Sequence, residues 1–160
     1  MAPSFPQIGD PAPAFSAKDQ SGNLVCLEHF KNTWLILYFY PRDNTPGCTT
    51  EAINFSEHQA FFESLGVKIL GVSSDSEKSH CKFIEKHHLT IQLLSDPDHQ
   101  VAEAYGAWGL KKFMGKESMG ILRSTFLIDP TGTIAYVWPK VKVKEHVNEV
   151  MNQVKMVLSK

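Results

Sequence analysis

The residues with the plainest chemical potential lie between Tyr38 and Glu51. An apolar run, Trp34-Leu35-Ile36-Leu37-Tyr38-Phe39-Tyr40, stops at Pro41, and Thr45-Pro46 follows as a helix cap with proline in the first turn. Cys48 stands three residues after Thr45. A thiol there faces unpaired backbone N–H groups and the positive end of the helix dipole. Both favour the thiolate, the nucleophilic form of cysteine. A thiolate is also the form most readily oxidised to sulfenic acid. The competing reading is a buried structural thiol, since free cysteine often fills cores; a cysteine in a capped helix start after Thr-Pro argues against it.

Other reactive residue types carry weaker signals. No cysteine lies within three residues of Cys48, so the C-x-x-C of a disulfide reductase is missing. His80-Cys81 and His87-His88 share one expected helix, with positions 80 and 87 on one face. The usual zinc spacings do not occur, so exposed polar histidines are the better reading; a metal-binding protein or a non-catalytic binding module is the alternative from a different class. Glu51 reads as a helix-start charge that favours the dipole, with hydrogen bonding in the active site as the alternative. Lys112 and Lys116 read as solvated loop lysines. Arg123, by residue type alone, reads as a surface arginine at the start of a strand.

The chain has 160 residues, 42% apolar and 21% charged, which fits one soluble globular domain spanning 1–160. A formal net charge of -1 points to neither a nucleic-acid nor a membrane partner. The longest apolar run is too short to cross a bilayer, and no basic segment followed by an apolar stretch opens the chain. The cysteines are Cys26, Cys48 and Cys81, an odd number without an export signal. That argues for a reducing compartment, the cytoplasm, and against a structural disulfide framework.

The elements that must position Cys48 follow from periodicity. Residues 1–13 carry four prolines and read as an extended arm. Ala14–Ala17 and Leu24–Leu27 flank the turn signal Asp19-Gln20-Ser21-Gly22-Asn23, predicting an N-terminal hairpin. Leu35–Tyr40 and Val67–Val72 read as buried strands and Ile91–Leu94 as a third. Cys48–Leu65 reads as one helix, ended by Gly66. Ser74-Asp75-Ser76-Glu77 is read as a capping box opening a helix to His88, and Asp96-Pro97 as the start of a short helix that Gly106 stops. Residues 107–120 show no clean period and read as a loop. Thr125–Ile128 and Ile134–Val137 surround Asp129-Pro130-Thr131-Gly132, a second hairpin, and a last amphipathic helix runs from Lys144 to Leu158. Strand–helix–strand units closed by a hairpin imply an α/β fold with a central mixed sheet between helices.

With Pro41, Thr45 and Cys48 in place, the loop resembles the peroxidatic loop P-x-x-x-T-x-x-C of the peroxiredoxins. The flanking Phe39-Tyr40-Pro41 and Thr45-Pro46-Gly47-Cys48-Thr49 resemble the bacterioferritin comigratory protein (PrxQ) branch. The likeness extends to Ile8-Gly9-Asp10-Pro11-Ala12-Pro13-Ala14-Phe15, Leu70-Gly71-Val72-Ser73 and Arg123-Ser124-Thr125-Phe126-Leu127-Ile128-Asp129. It implies a thioredoxin-like fold and a thiol peroxidase acting on hydrogen peroxide or organic hydroperoxides, without metal, flavin or haem. It implies that Thr45 and the Gly47 and Cys48 N–H groups hold the peroxide, that Pro41 shields the thiolate, and that Arg123 supplies charge. It further implies a monomer recycled by thioredoxin or a glutaredoxin-like dithiol.

The same resemblance frames the resolving thiol. Many PrxQ-branch members carry a second cysteine five residues after the first; here that position is Ile53. Others carry it on the next helix, typically where this chain has Ile84, and Cys81 stands three residues before that. Positions three apart lie on one helical face, so Cys81 could still point toward Cys48. A disulfide needs Cα atoms within about 7 Å, so a Cys48–Cys81 bond would require local unwinding. A one-cysteine enzyme reduced by an outside thiol remains open, as does pairing through Cys26 or between molecules. Cys26, in a strand beside Leu24 and Leu27, reads as structural.

Overall fold

The computed structural model describes residues 5–159. In chain order these form β1 (Ser16–Asp19), β2 (Leu24–Cys26), a 3-10 turn (Leu27–Phe30), β3 (Trp34–Phe39), α1 (Pro46–Glu57), α2 (Gln59–Ser64), β4 (Val67–Ser73) and α3 (Glu77–His87). There follow β5 (Gln92–Ser95), α4 (Gln100–Ala104), β6 (Trp108–Phe113), β7 (Lys116–Ile121), β8 (Ser124–Ile128), β9 (Ile134–Trp138) and α5 (His146–Leu158). Seven strands make one mixed sheet in the order β2-β1-β5-β4-β3-β8-β9. The fold is α/β and thioredoxin-like, as the periodicity and the resemblance predict.

The apolar run before Pro41 lies inside this sheet because both its faces are covered. Leu35, Leu37 and Phe39 enter a core with Val101, Ala102 and Tyr105 of the α4 region. Ile36 and Tyr38 enter a second core with Phe55, Phe62, Phe83, Val147 and Val150, from α1, α2, α3 and α5. β3 pairs in parallel with β4 and antiparallel with β8, in a register that sets Phe39 opposite Ser124. Arg123 is therefore delivered to the end of β3 where the Cys48 loop begins.

Several local expectations change. The long helix from 48 to 65 is two helices, α1 and α2, broken at His58 (φ -104°, ψ 9°), whose ring nitrogen contacts the Asn54 carbonyl at 2.8 Å. The α3 cap is Ser76 alone, accepting from the Ser79 N–H at 3.1 Å, rather than a box begun by Ser74. Asp96 does start its helix, but from a distance, by accepting from Val101 N–H at 3.2 Å and Ala102 N–H at 3.0 Å. Residues 107–120 are mostly an antiparallel hairpin, β6–β7, rather than a loop. Its two-residue turn, Met114-Gly115, has positive φ at both positions (52° and 80°), the primed geometry that tight hairpins need. The described part of the arm is pinned to the far edge: Gly9 N–H donates to Ile134 O at 2.9 Å and Ala12 N–H to Gly132 O at 2.8 Å.

Candidate active site

Cys48 is the third residue of α1 and is buried, 1% exposed. Thr45 occupies the cap position with extended backbone (φ -91°, ψ 155°), as expected. Its hydroxyl does not cap: it turns back and donates to the Arg42 carbonyl at 2.9 Å. No side chain caps α1, so the first amides of the helix keep their donors for something else. Pro41 is half-buried at the end of β3 and opens the loop.

Arg123 is brought to the sulfur by the β3–β8 register. Its Nη2 donates to Cys48 Sγ at 3.3 Å, and its Nη1 donates to Glu51 Oε1 at 2.7 Å. The planar fork of a guanidinium suits this division between a sulfur and a carboxyl oxygen. Gly47 makes the approach possible, because a Cβ there would sit 3.3 Å from Nη2.

Glu51 follows the alternative reading, hydrogen bonding at the site, rather than that of a helix-start charge. It is fully buried, not a solvated helix-start charge, because one turn of α1 carries it inward beside Cys48. Burial pushes its carboxyl up to about 7, against the pull of Arg123. Its second oxygen, Oε2, has no partner among the described residues. The signal was available: a carboxylate three residues after Cys48 shares its helical face.

Of the lysines, Lys112 pairs with Glu117 at 3.3 Å on the exposed hairpin, and Lys116 is exposed. The lysine turned inward is Lys111, half-buried, donating to Ile121 O at 2.9 Å. Its ammonium is pulled down by burial and then by Arg123, while Cys48 pulls it up, which places it in the field of the same site.

Cys81 is exposed and donates its S–H to the Gln20 carbonyl at 2.9 Å, toward the β1–β2 turn. The opposite flank of α3, with Ser79, Lys82, Phe83 and Lys86, borders Asp43 and Asn44 of the Cys48 loop. The expectation that Cys81 points toward Cys48 therefore fails for this folded state. Cys26 is half-buried, with Sγ 3.6 Å from Ser16 Oγ across the N-terminal hairpin. All three cysteines are free thiols. Of the histidines expected to lie exposed on α3, His80 is instead buried against Asp43 and Leu94, while His87 meets Asn44.

The chain that carries this cysteine and guanidinium is similar to known proteins over most of its length. The AhpC/TSA family model matches residues 8–137. The chain belongs to the AhpC/TSA family. Peroxiredoxin Bcp of Bacillus subtilis (strain 168) is 50% identical over 149 residues, 93% of this chain and 95% of that protein. Peroxiredoxin Bcp of Escherichia coli (strain K12) is 44% identical over 149 residues, 93% of this chain and 96% of that one. Among solved structures, a mutant of Xylella fastidiosa PrxQ superposes with a TM-score of 0.91 at 39% identity, covering 96% of this chain and 98% of its own. Xanthomonas campestris bacterioferritin comigratory protein, solved in work on its alkyl peroxide reduction activity, gives a TM-score of 0.86 at 39% identity, covering 90% and 92%. This peroxiredoxin of the Bcp/PrxQ type is an enzyme, a thiol-dependent peroxidase. Among its described residues no helix is long and apolar enough to cross a membrane.

Proposed function

We propose that Cys48 is the peroxidatic cysteine and that Thr45, Gly47, Arg123 and Glu51 build its site. The supporting observation is the Arg123 Nη2 contact to Sγ at 3.3 Å at the start of α1. The sulfur attacks one peroxide oxygen and the O–O bond breaks. The departing oxygen takes a proton and leaves as water or an alcohol, and sulfur is left as sulfenic acid. Charge developing on the oxygens is met by Arg123 and the Gly47 and Cys48 N–H groups. The Thr45 hydroxyl donates its hydrogen bond to Arg42 O, so its lone pairs are free to accept from the peroxide O–H. Pro41 shields the sulfur from bulk water. The substrates are hydrogen peroxide and organic hydroperoxides, in line with the alkyl peroxide activity of the Xanthomonas protein.

Cys81 resolves the sulfenic acid: its sulfur attacks Cys48, an S–S bond forms and water leaves. Thioredoxin or a glutaredoxin-like dithiol reduces that disulfide, in a single-domain monomer of the cytoplasm. The orientation of Cys81 toward Gln20 favours a second reading, a one-cysteine enzyme reduced directly by an outside thiol. Peroxide turnover with thioredoxin separates the two. Cys48→Ser should abolish it under either reading. Cys81→Ser should also abolish it, with loss of a Cys48–Cys81 peptide in non-reducing mass mapping; turnover that survives Cys81→Ser selects the one-cysteine scheme.

A further inference from the structure

A second dense cluster of buried polar side chains anchors the other end of the Cys48 loop. Asp43, two residues before Thr45, accepts from the Tyr40 hydroxyl at 2.6 Å on one carboxylate oxygen. On the other it meets Ser79 Oγ at 2.8 Å and His80 Nδ1 at 2.7 Å. Its backbone N–H donates to Asp75 Oδ2 at 2.7 Å, an oxygen that also accepts from Ser73 Oγ at 2.7 Å. His80 Nε2 lies 2.9 Å from the Leu94 carbonyl. A carbonyl only accepts, so Nε2 carries a proton and Nδ1 is the nitrogen turned to Asp43. The Asp43 and His80 side chains are 3% and 0% exposed. Ligand-type atoms of Asp43, Asp75 and His80 stand within 4.8 Å of one another, but each is already bonded within the cluster.

Further along α3, His87 Nε2 meets Asn44 Oδ1 at 3.0 Å, and Asn44 has a left-handed φ of 62°. Helix α3 thus grips the loop at two adjacent residues. The residue after His80 is Cys81.

We propose that Asp43 and His80 are a positioning pair for the peroxidase reaction: their bond holds the loop and α3 in the reactive arrangement, and its opening sets how long the Cys48 sulfenic acid stays in the pocket. Two fates compete for that sulfur. Inside the pocket it attacks a second peroxide, the O–O bond breaks, and sulfinic acid and another water or alcohol form. Outside the pocket it meets the thiolate of Cys81. Cys81 faces Gln20, so the second fate requires α3 to turn or unwind where His80 is bonded. Nor is the loop free to move while Asp43 is held by α3. The Asp43–His80 bond thus lies at the point where loop and α3, and with them both reacting sulfurs, are restrained together. The second fate rests on reading Cys81 as the resolving thiol; the restraint itself does not.

The test uses the full chain with Asp43→Asn, His80→Asn and both together. In the reduced protein, amide hydrogen exchange of segments 42–52 and 76–88 should quicken in step by about tenfold in each single variant. The double variant should be no faster than the faster single, as members of one bond behave. The peroxide concentration that leaves half of Cys48 as sulfinic acid should rise about fivefold. Ser79→Ala, which removes one donor to Asp43, should shift both readouts in the same direction by about twofold and serves if the other variants fold poorly. Ile134→Val, in the opposite core, should lower the melting temperature without moving either readout. Exchange that stays at the wild-type rate, loosens in α3 alone, or rises equally in Ile134→Val would overturn the proposal. Should exchange quicken while Cys81→Ser leaves the half-sulfinic concentration unchanged, the pair stands and the resolving role of Cys81 falls.

Discussion

At the residue scale, the site is one guanidinium shared between two groups that both want it. Arg123 reaches Cys48 with one nitrogen and Glu51 with the other, and the absence of a side chain at Gly47 lets it lie this close. Gly47→Ala would place a methyl 3.3 Å from Nη2, tighter than ordinary packing. The φ of Gly47 is not in the left-handed region, so backbone strain is not the issue. We expect the second-order rate with hydrogen peroxide to fall about tenfold, because misplacing a catalytic group by a fraction of an ångström has effects of that order. Melting temperature should change little. An unaltered rate in stopped-flow measurements would mean that the guanidinium does not need its observed position.

At the scale of elements, register and turn chemistry do the positioning. The β3–β8 pairing carries Arg123 to the end of β3 and so to Cys48, 75 residues away in sequence. The β6–β7 hairpin brings Lys111 inward while Leu110, Met114 and Met119 remain exposed. Its pattern escapes a sequence reading because a hairpin lying outside the main sheet has no consistently buried face to generate alternation. Its turn also lacks the usual Asn-Gly or Asp-Gly pair. Met114 holds a left-handed backbone that an unbranched side chain adopts only at a cost of roughly 1 kcal/mol. Met114→Asn should therefore raise stability by about 0.5–1 kcal/mol in urea unfolding, with peroxidase activity retained. A loss of stability would show that this turn is not held by its own geometry.

At the scale of the whole molecule, two buried titrating groups act on stability in opposite senses. Burial raises Glu51 from 4.5 to about 7, so between those values the folded chain keeps a proton that the unfolded chain has released. Its contribution is full below pH 4.5 and is lost as pH rises to 7. His146, enclosed by Phe55 and Trp138 and bonded to Thr125 at 2.9 Å, is pushed from 6.5 to about 4, by burial first and by Arg123 second. Its contribution is full above pH 6.5 and is lost as pH falls to 4. The slopes, at most about 1.4 kcal/mol per pH unit each, oppose one another where the windows overlap. The wild type should thus show nearly level stability between pH 4.5 and 6.5. Glu51→Gln should become more stable as pH rises through that range and His146→Asn less stable, read by denaturant melts at each pH. The same local-versus-distant division explains what the chain's residues disclosed alone. Pro41, Thr45, Gly47 and Cys48 all lie within residues 41–48, and a proline-led helix start is governed by neighbours, so the placing of Cys48 at a helix start and the order of β3, α1, β4, α3 and β5 were legible directly, whereas the roles of Pro41, Thr45 and Gly47 came through family likeness. Arg123 was legible only through family likeness, and the inward turn of Glu51 and Lys111, the outward turn of Cys81 and the Asp43–His80 bond were not. Those depend on which flank of a helix or hairpin meets the rest of the molecule, and that is decided by packing between segments far apart in the chain.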